Sequence, residues 1–286
     1  MSQSDSRQEW SVVRMLEWAT DYFKKNEVPS PRLSIEWILA EVLGVKRLDL
    51  YMAFDRPLTQ TELEQLRPLI KRRAGHEPLQ YVTGSTDFYN LSLTLTPDVL
   101  IPRPETEELV TRILDTEPVD KPISFLDIGT GSGCIALAIK KERPHWEVTA
   151  IDNSEKALQI ARQNAHRHEL DVTFHQSSFQ LWQTKHKWDV IVSNPPYIHE
   201  GEIDELADQV IKFEPRNALI TDNILAMYRE LMDFSKRHLE SDGSFYFEIN
   251  ENEGPNLLKI LNIPPFQCRL EKDISNRNRF ITGKRT

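Results

Sequence analysis

The chain has 286 residues, 39% hydrophobic and 28% charged, the composition of a soluble globular protein with room for roughly one to two domains at about 150 residues each. Lys+Arg 35 against Asp+Glu 44 leaves a formal charge of −9, which excludes a generically basic nucleic-acid coat, because sequence-independent phosphate affinity comes from excess Lys and Arg. No apolar run of about 18 residues is present to span a membrane, the start Met1-Ser2-Gln3-Ser4-Asp5-Ser6-Arg7 lacks a signal-peptide stretch, and Cys134 and Cys268 make neither a disulfide framework nor a structural zinc site. The expected location is cytoplasmic and reducing.

From Trp10 to about His76 the pattern is helical. Val13, Leu16, Ala19 and Phe23 recur at helix spacing and predict one buried stripe. Ser30 as N-cap and Pro31 at the first helical position open the next helix. Ile35, Ile38, Leu39, Val42 and Leu43 follow, and Gly44 stops it. Thr59-Gln60-Thr61-Glu62 is a capping box. It opens a third helix carrying Leu63, Leu66 and Ile70, bent by Pro68 and ended by Gly75. The Lys71-Arg72-Arg73 run reads as a solvated helix end. Residues 1–83 are therefore expected to form a small helical bundle.

After Gly84 the texture changes, and residues 84–286 read as a second domain. Phe88 to Leu95 alternates in its second half, as a short β segment or hairpin would. Ile101-Pro102-Arg103-Pro104 fits neither a helix interior nor a central strand, and leads into a short helix from Glu105 to Leu114. Strand-like runs then alternate with helices. The strands are Ile123–Ile128, Val148–Ile151, Val172–His175, Val190–Ser193, Ser244–Ile249, Phe266–Leu270 and Arg279–Thr282. The helices lie near Ile135–Lys141, Glu155–His168, Ile224–Leu239 and Asn256–Leu261. Such alternation predicts a parallel α/β sheet with helices on both faces.

Three motifs bear chemistry. Asp127-Ile128-Gly129-Thr130-Gly131-Ser132-Gly133 follows a strand and opens a helix, where α/β sheets bind ligands. Its alternating glycines differ from the G-x-G-x-x-G dinucleotide pattern, and no Lys-Ser/Thr pair makes it a P-loop. Asp152, followed by Asn153, ends the second strand, nineteen residues (152 − 133) beyond Gly133. An acid there is placed to accept both ribose hydroxyls of a nucleoside ligand. Asn194-Pro195-Pro196-Tyr197 ends a further strand. Its two prolines remove two N–H donors and stiffen the loop. The Pro195 carbonyl and the Asn194 side-chain oxygen then form a pair of acceptors for a planar –NH₂ group. Tyr197 adds an aromatic face that can pack on a flat amide or base and favour developing positive charge.

Taken together, these segments resemble the cofactor and target loops of class I S-adenosylmethionine-dependent amino methyltransferases. More narrowly, the chain resembles the HemK/PrmC family, which methylates a glutamine side-chain amide (N5) in peptide chain release factors. The resemblance extends to Glu77-Pro78-Leu79-Gln80-Tyr81, Ile101-Pro102-Arg103-Pro104-Glu105-Thr106-Glu107, Phe213-Glu214-Pro215-Arg216-Asn217-Ala218-Leu219 and Asp273-Ile274-Ser275-Asn276-Arg277. It implies a Rossmann-like methyltransferase domain with a seven-stranded, mostly parallel sheet, a β-hairpin linker and an N-terminal helical substrate-recognition domain. It implies S-adenosyl-L-methionine as cofactor, held by Asp127, Gly129, Thr130, Gly131, Ser132, Gly133, Asp152, Asn153, Ser178, Phe179 and Asn194. Asn194, Pro195 and Tyr197 would be catalytic, and those three with Pro196 and Arg103 would bind the target glutamine. Where the family usually has an acid before the aromatic after the third strand, this chain has Ser178 before Phe179. No metal is implied. Membrane attachment and stable nucleic-acid binding are not expected.

Other readings stay open on the residues alone. A ribosomal-protein glutamine methyltransferase shares the Asn-Pro-Pro-Tyr loop but differs in the Pro-Arg-Pro-x-Thr-Glu segment, which is intact here. An adenine-N6 DNA or RNA methyltransferase would offer the same two donors to that loop. A non-enzymatic cofactor-binding scaffold has no use for the acceptor pair.

Overall fold

The computed structural model describes residues 9–286; residues 1–8, which include the stretch read above as lacking a signal peptide, lie outside the described residues. The chain divides into two units, one ending at Gly84 and the other running Ser85–Thr286.

The first unit is helical. Helix α1 (Val12–Lys25) buries Val12, Leu16, Ala19 and Phe23. The stripe starts one residue earlier than the sequence suggests, and Val13 is only half-buried. Helix α2 (Pro31–Leu43) does begin at Pro31, but Ser30 sits in the left-handed region at φ 50° and its side chain caps nothing. The fixed φ of proline, not a side-chain cap, starts this helix. Gly44, at φ 64°, closes it by donating its N–H to the Ala40 and Glu41 carbonyls. A 3₁₀ turn, Arg47–Met52, follows, and the helical pattern gave no sign of it. Helix α3 (Gln60–Ala74) opens on the expected capping box: Glu62 N–H donates to Thr59 Oγ1 at 3.3 Å and Thr59 N–H to Glu62 Oε2 at 2.8 Å. A short helix α4 (Leu79–Thr83) completes the unit.

The basic run at the end of α3 is only in part a solvated helix end: Lys71 and Arg72 are exposed, whereas Arg73 is buried. Arg73 is 4% exposed and donates to Ser34 Oγ (3.0 Å), the Pro29 carbonyl (3.0 Å) and the Glu77 carbonyl (2.8 Å). Arg72 pairs with Glu77 and also reaches the Tyr81 carbonyl at 2.7 Å. Several N–H donors in a fixed fork let a guanidinium fasten separate chain segments with defined geometry.

In the second unit, β1 (Ser85–Phe88) and β2 (Leu91–Thr94) form an antiparallel hairpin. Its two turn residues, Tyr89 and Asn90, have φ of 45° and 62°, the backbone that a two-residue hairpin turn demands. Helix α5 (Pro104–Thr116) precedes the main alternation: β3 (Ser124–Ile128), α6 (Cys134–Glu142), β4 (Glu147–Asp152), α7 (Glu155–Arg167), β5 (Thr173–Gln176) and β6 (Trp188–Ser193). A small insertion holds β7 (Ile198–His199), α8 (Asp208–Phe213), α9 (Arg216–Leu219) and β8 (Ile220–Thr221). The chain ends with α10 (Ile224–His238), β9 (Leu239–Glu248), α11 (Gly254–Leu261), β10 (Phe266–Lys272) and β11 (Asn278–Arg285).

Seven strands make one sheet in the order β10-β11-β9-β6-β3-β4-β5. The five from β9 to β5 run parallel, and β11 and β10 add antiparallel at one edge. This is the seven-stranded, mostly parallel sheet that the alternation predicts. Both faces are buried. Phe125, Val148 and Val190 point into a core with α5 and α6, while Leu126, Ile151 and Ile191 point into another with α10 and α11. That is the period of two expected of a strand covered on both sides. Strand order reverses about β3, so the crevice at the carboxyl ends of β3, β4 and β6 is the natural ligand position.

One buried amide on α7 joins the hairpin to this crevice. Asn164 Oδ1 accepts from Thr94 N–H (2.7 Å), and Nδ2 donates to the Thr94 carbonyl (3.1 Å) and the Ser132 carbonyl (3.0 Å). Asn164→Ala leaves these backbone groups without their partner. The expected loss is about 1–3 kcal/mol of unfolding free energy, read from denaturant midpoints; an unchanged midpoint contradicts it.

Candidate active site at the carboxyl edge of the sheet

The strand ends are drawn together by backbone and short side chains. β3 runs out into Gly129, Gly131 and Gly133, whose φ values of 75°, 55° and 85° lie in the left-handed region that glycine alone enters freely. The Ile151 carbonyl on β4 accepts from Gly129 N–H (2.9 Å) and Thr130 N–H (3.0 Å), folding the turn against that strand. Asp127 is fully buried below it and accepts the Thr130 hydroxyl at 2.6 Å. Burial pushes the Asp127 carboxyl up to about 7, and the neighbouring Asp152 adds to the shift. Asp152 Oδ2 accepts Gly131 N–H and its Oδ1 accepts Ser154 N–H, both at 2.9 Å. Burial raises this carboxyl too. On the other side, Ser193 Oγ donates to the Ile128 carbonyl at 2.9 Å and pins the end of β6 to the end of β3.

A cavity of about 310 Å³ opens over these ends, a volume suited to a small molecule. Gly129, Gly131, Asp152, Asn153, Ser178, Phe179, Asn194, Pro195 and Pro196 all reach its wall. Thr130, Ser132 and Gly133 are buried in the turn with Asp127 and support the wall without lining it. Phe179 packs edge-on against Phe234 with ring centroids 6.1 Å apart. A wider groove of about 510 Å³ runs along the β4–β5 edge past Trp182 and His175, but none of the three motifs reaches it.

Two of the named residues point elsewhere. Tyr197 does not line the cavity; its hydroxyl donates to Glu248 Oε1 at 3.0 Å, and its ring packs against the core shared with α10. Arg103 does not line it either. Its guanidinium pairs with the buried Glu214 Oε1 at 2.7 Å, and Glu214 Oε2 accepts Ile101 N–H at 3.3 Å.

Two residues without an assigned role in the sequence reading stand directly behind Asn194. Asn194 Nδ2 donates to Thr106 Oγ1 at 3.1 Å, and the Thr106 hydroxyl donates to Glu248 Oε2 at 2.8 Å. Glu248 is fully buried. Desolvation pushes its carboxyl up to about 7, against the lowering effects of Thr106, Tyr197 and Arg279. A sequence signal for it existed: Glu248 is the lone acid in the apolar run Ser244–Ile249.

Comparison with known proteins agrees with this architecture. The model of the PrmC N-terminal domain matches residues 14–84, and that of the methyltransferase small domain matches residues 106–227. Release factor glutamine methyltransferase of Geobacter sulfurreducens is 36% identical over 277 residues, covering 96% of this chain and 97% of that one. The enzyme of the same name from Rhodopirellula baltica is 40% identical over 259 residues, covering 87% of each chain. Among solved structures, the T. thermophilus 16S rRNA N2 G1207 methyltransferase, in complex with AdoMet and guanosine, shares the fold. Its TM-score is 0.51 at 18% identity, over 71% of this chain and 50% of that one. With such identity over nearly its whole length, the chain belongs to the family of release factor glutamine methyltransferases, S-adenosyl-L-methionine-dependent enzymes with a Rossmann-like methyltransferase fold.

Proposed function

We propose that this chain methylates the side-chain amide nitrogen of the glutamine in the Gly-Gly-Gln motif of peptide chain release factors. The observation that supports this most is a pair of open acceptors. Asn194 and Pro195 both reach the cavity wall, and no group among the described residues donates to Asn194 Oδ1 or to the Pro195 carbonyl. A primary amide has two N–H donors in one plane, and two adjacent acceptors match it.

The cavity fits the cofactor by its own features. A Cβ built on Gly129 or Gly131 would meet nothing within 4 Å, so a ligand can come close to the backbone there. Asp152 offers carboxylate oxygens where ribose hydroxyls need acceptors, and Phe179 with Ile151 offers an apolar wall for a flat base. Asn153 and Ser178 line the same wall, and Asp127, Thr130, Ser132 and Gly133 hold its floor. When bound, S-adenosyl-L-methionine supplies a sulfonium methyl group that a nitrogen attacks in line.

An amide nitrogen is a poor nucleophile because its lone pair is delocalised into the carbonyl. Asn194 Oδ1 and the Pro195 carbonyl take its two N–H groups, aim the nitrogen and stabilise the positive charge that grows on it. Pro195 and Pro196 bring no N–H donor to the loop and keep it stiff. Tyr197 anchors the far end of the loop through Glu248. Arg103, through Glu214, fixes the segment ahead of α5.

Adenine presents the same –NH₂ group, but a base must be unstacked at a cost of a few kcal/mol and its phosphates need a basic track. The chain carries −9, and in its one basic run Arg72 and Arg73 are engaged in the fold. The intact Pro-Arg-Pro-Glu-Thr-Glu segment favours a release factor over a ribosomal protein. We assign residues 1–83 to gripping that protein and residues 84–286 to the cofactor and the chemistry. We place the enzyme in the cytoplasm: both cysteines are free, and no helix among the described residues is long and apolar enough to cross a membrane.

Asn194→Ala is expected to lower turnover about 10²–10³-fold, the usual worth of a preorganised polar contact at a reacting group, with cofactor affinity nearly unchanged. Retention of more than half the activity contradicts the assignment. Asp152→Ala is expected to weaken S-adenosyl-L-methionine by about 1.5–3 kcal/mol in calorimetric titration; equal affinity removes Asp152 from the cofactor site. Changing the target glutamine of the release factor to glutamate is expected to abolish labelling, because a carboxylate has no N–H for the two acceptors. Label that persists in that substrate, or that appears in nucleic acid, overturns the proposal.

A further inference from the structure

Resting on that reading of the site, we infer that Thr106 and Glu248 act as a polarity relay: together they fix which end of the Asn194 carboxamide faces the substrate. A carboxamide has two orientations of nearly equal shape, and they present opposite chemistry. One shows an acceptor to the cavity, the other a pair of donors. A target amide would be held by the first and repelled by the second.

The relay starts from a group that can only accept. An ionised carboxylate has no proton to give, and Glu248 is held by the hydroxyls of Thr106 at 2.8 Å and Tyr197 at 3.0 Å. Its backbone carbonyl accepts from the Tyr228 hydroxyl. A threonine hydroxyl has a single hydrogen. Because Thr106 donates it to Glu248, toward Asn194 it can only accept, and the group 3.1 Å away must be Nδ2. The opposite orientation would set Asn194 Oδ1 against the Thr106 oxygen with no hydrogen between them. Asn194 Oδ1 is therefore turned away from Thr106, where it can accept from a substrate.

Among the described residues, no cation forms an ion pair with Glu248. Arg279, on β11, divides its guanidinium between Asp273 (3.2 Å) and Glu251 (3.5 Å). The titratable groups that act on Glu248 are Glu105 of α5, Cys134 of α6, Tyr197, Tyr228 of α10 and Arg279. The balance leaves its carboxyl at about 7, raised first of all by burial. Above that pH the carboxylate only accepts and the relay has one sense. Below it, protonated Glu248 can donate to Thr106, whose hydroxyl is then free to turn toward Asn194 Oδ1. Turnover is thus expected to rise with pH through this range.

Glu248→Gln keeps the shape and the number of hydrogen bonds, but its amide can donate to Thr106. It is expected to lower kcat about tenfold or more, the weight of one misdirected hydrogen bond at a reacting group. KM for S-adenosyl-L-methionine should change less than about twofold, and the acid limb of the kcat–pH profile near 7 should lose Glu248's share, leaving only what Asp127 contributes. Thr106→Val is expected to lower kcat similarly, and Thr106→Ser to retain it within about threefold, since serine keeps the single hydroxyl hydrogen. A second readout needs no substrate: in the ¹⁵N-labelled full chain, the Asn194 side-chain amide signal should titrate with a midpoint near 7, and not in Glu248→Gln. If that signal behaves so while the wild-type chain methylates no release factor, the relay stands and the substrate reading falls. If the wild type methylates the release factor and Glu248→Gln matches it in kcat and pH profile, the relay is overturned. An Asn194 signal indifferent to pH and to Glu248→Gln overturns it as well.

Discussion

To hold a primary amide by both of its N–H groups, a site must offer two acceptors and no competing donor, and in the proposed reading this requirement shapes the loop that follows β6. Two prolines remove the donors that an ordinary loop would bring. The end of β6 is fixed to β3 by the Ser193 hydroxyl on the Ile128 carbonyl, so the loop leaves the sheet at a set point. Behind the loop, the chain from Glu248 through Thr106 to Asn194 gives the side-chain amide one orientation. The value of these contacts lies in fixing direction, which an amide nucleophile with a delocalised lone pair needs more than it needs a base.

The cofactor side follows a different rule, that of charge. Asp127 and Asp152 lie at the ends of neighbouring parallel strands, and burial raises both carboxyls. Thr130 and the backbone N–H groups of Gly131 and Ser154 hold these carboxyls in place. The glycine turn leaves its backbone open at Gly129 and Gly131, while Gly133 is closed in by Leu137 and Ala161, 3.1 and 3.2 Å from a built Cβ. In the proposed reading, ligand approach accounts for the first two glycines; helix packing accounts for the third.

Much of this was legible from residue pattern. The seven strands, the flanking helices and the three motifs sit within a residue or two of their expected places, except that β9 and β11 extend a few residues further, because period-two burial and glycine turns are local signals. The hairpin was legible as β, but its turn at Tyr89–Asn90 was not placed, since both residues take a backbone more typical of glycine. What the pattern hid was long-range. Thr106 and Glu248 are 142 residues apart and meet only when α5 packs beside β9. Arg73 looked like a surface charge because nothing local announces Pro29 and Ser34 as its partners. Tyr197 looked like an open aromatic face until its hydroxyl found Glu248. In each case a polar side chain was legible by type and its partner was not.

A structure of the chain with S-adenosylhomocysteine and a Gly-Gly-Gln peptide would show whether the acceptor pair holds the amide. The glutamine Nε2 is expected at about 3 Å from both Asn194 Oδ1 and the Pro195 carbonyl, with Asn194 Nδ2 still on Thr106. A glutamine amide bound away from that pair, or an Asn194 carboxamide turned with its nitrogen toward the peptide, would contradict this geometry.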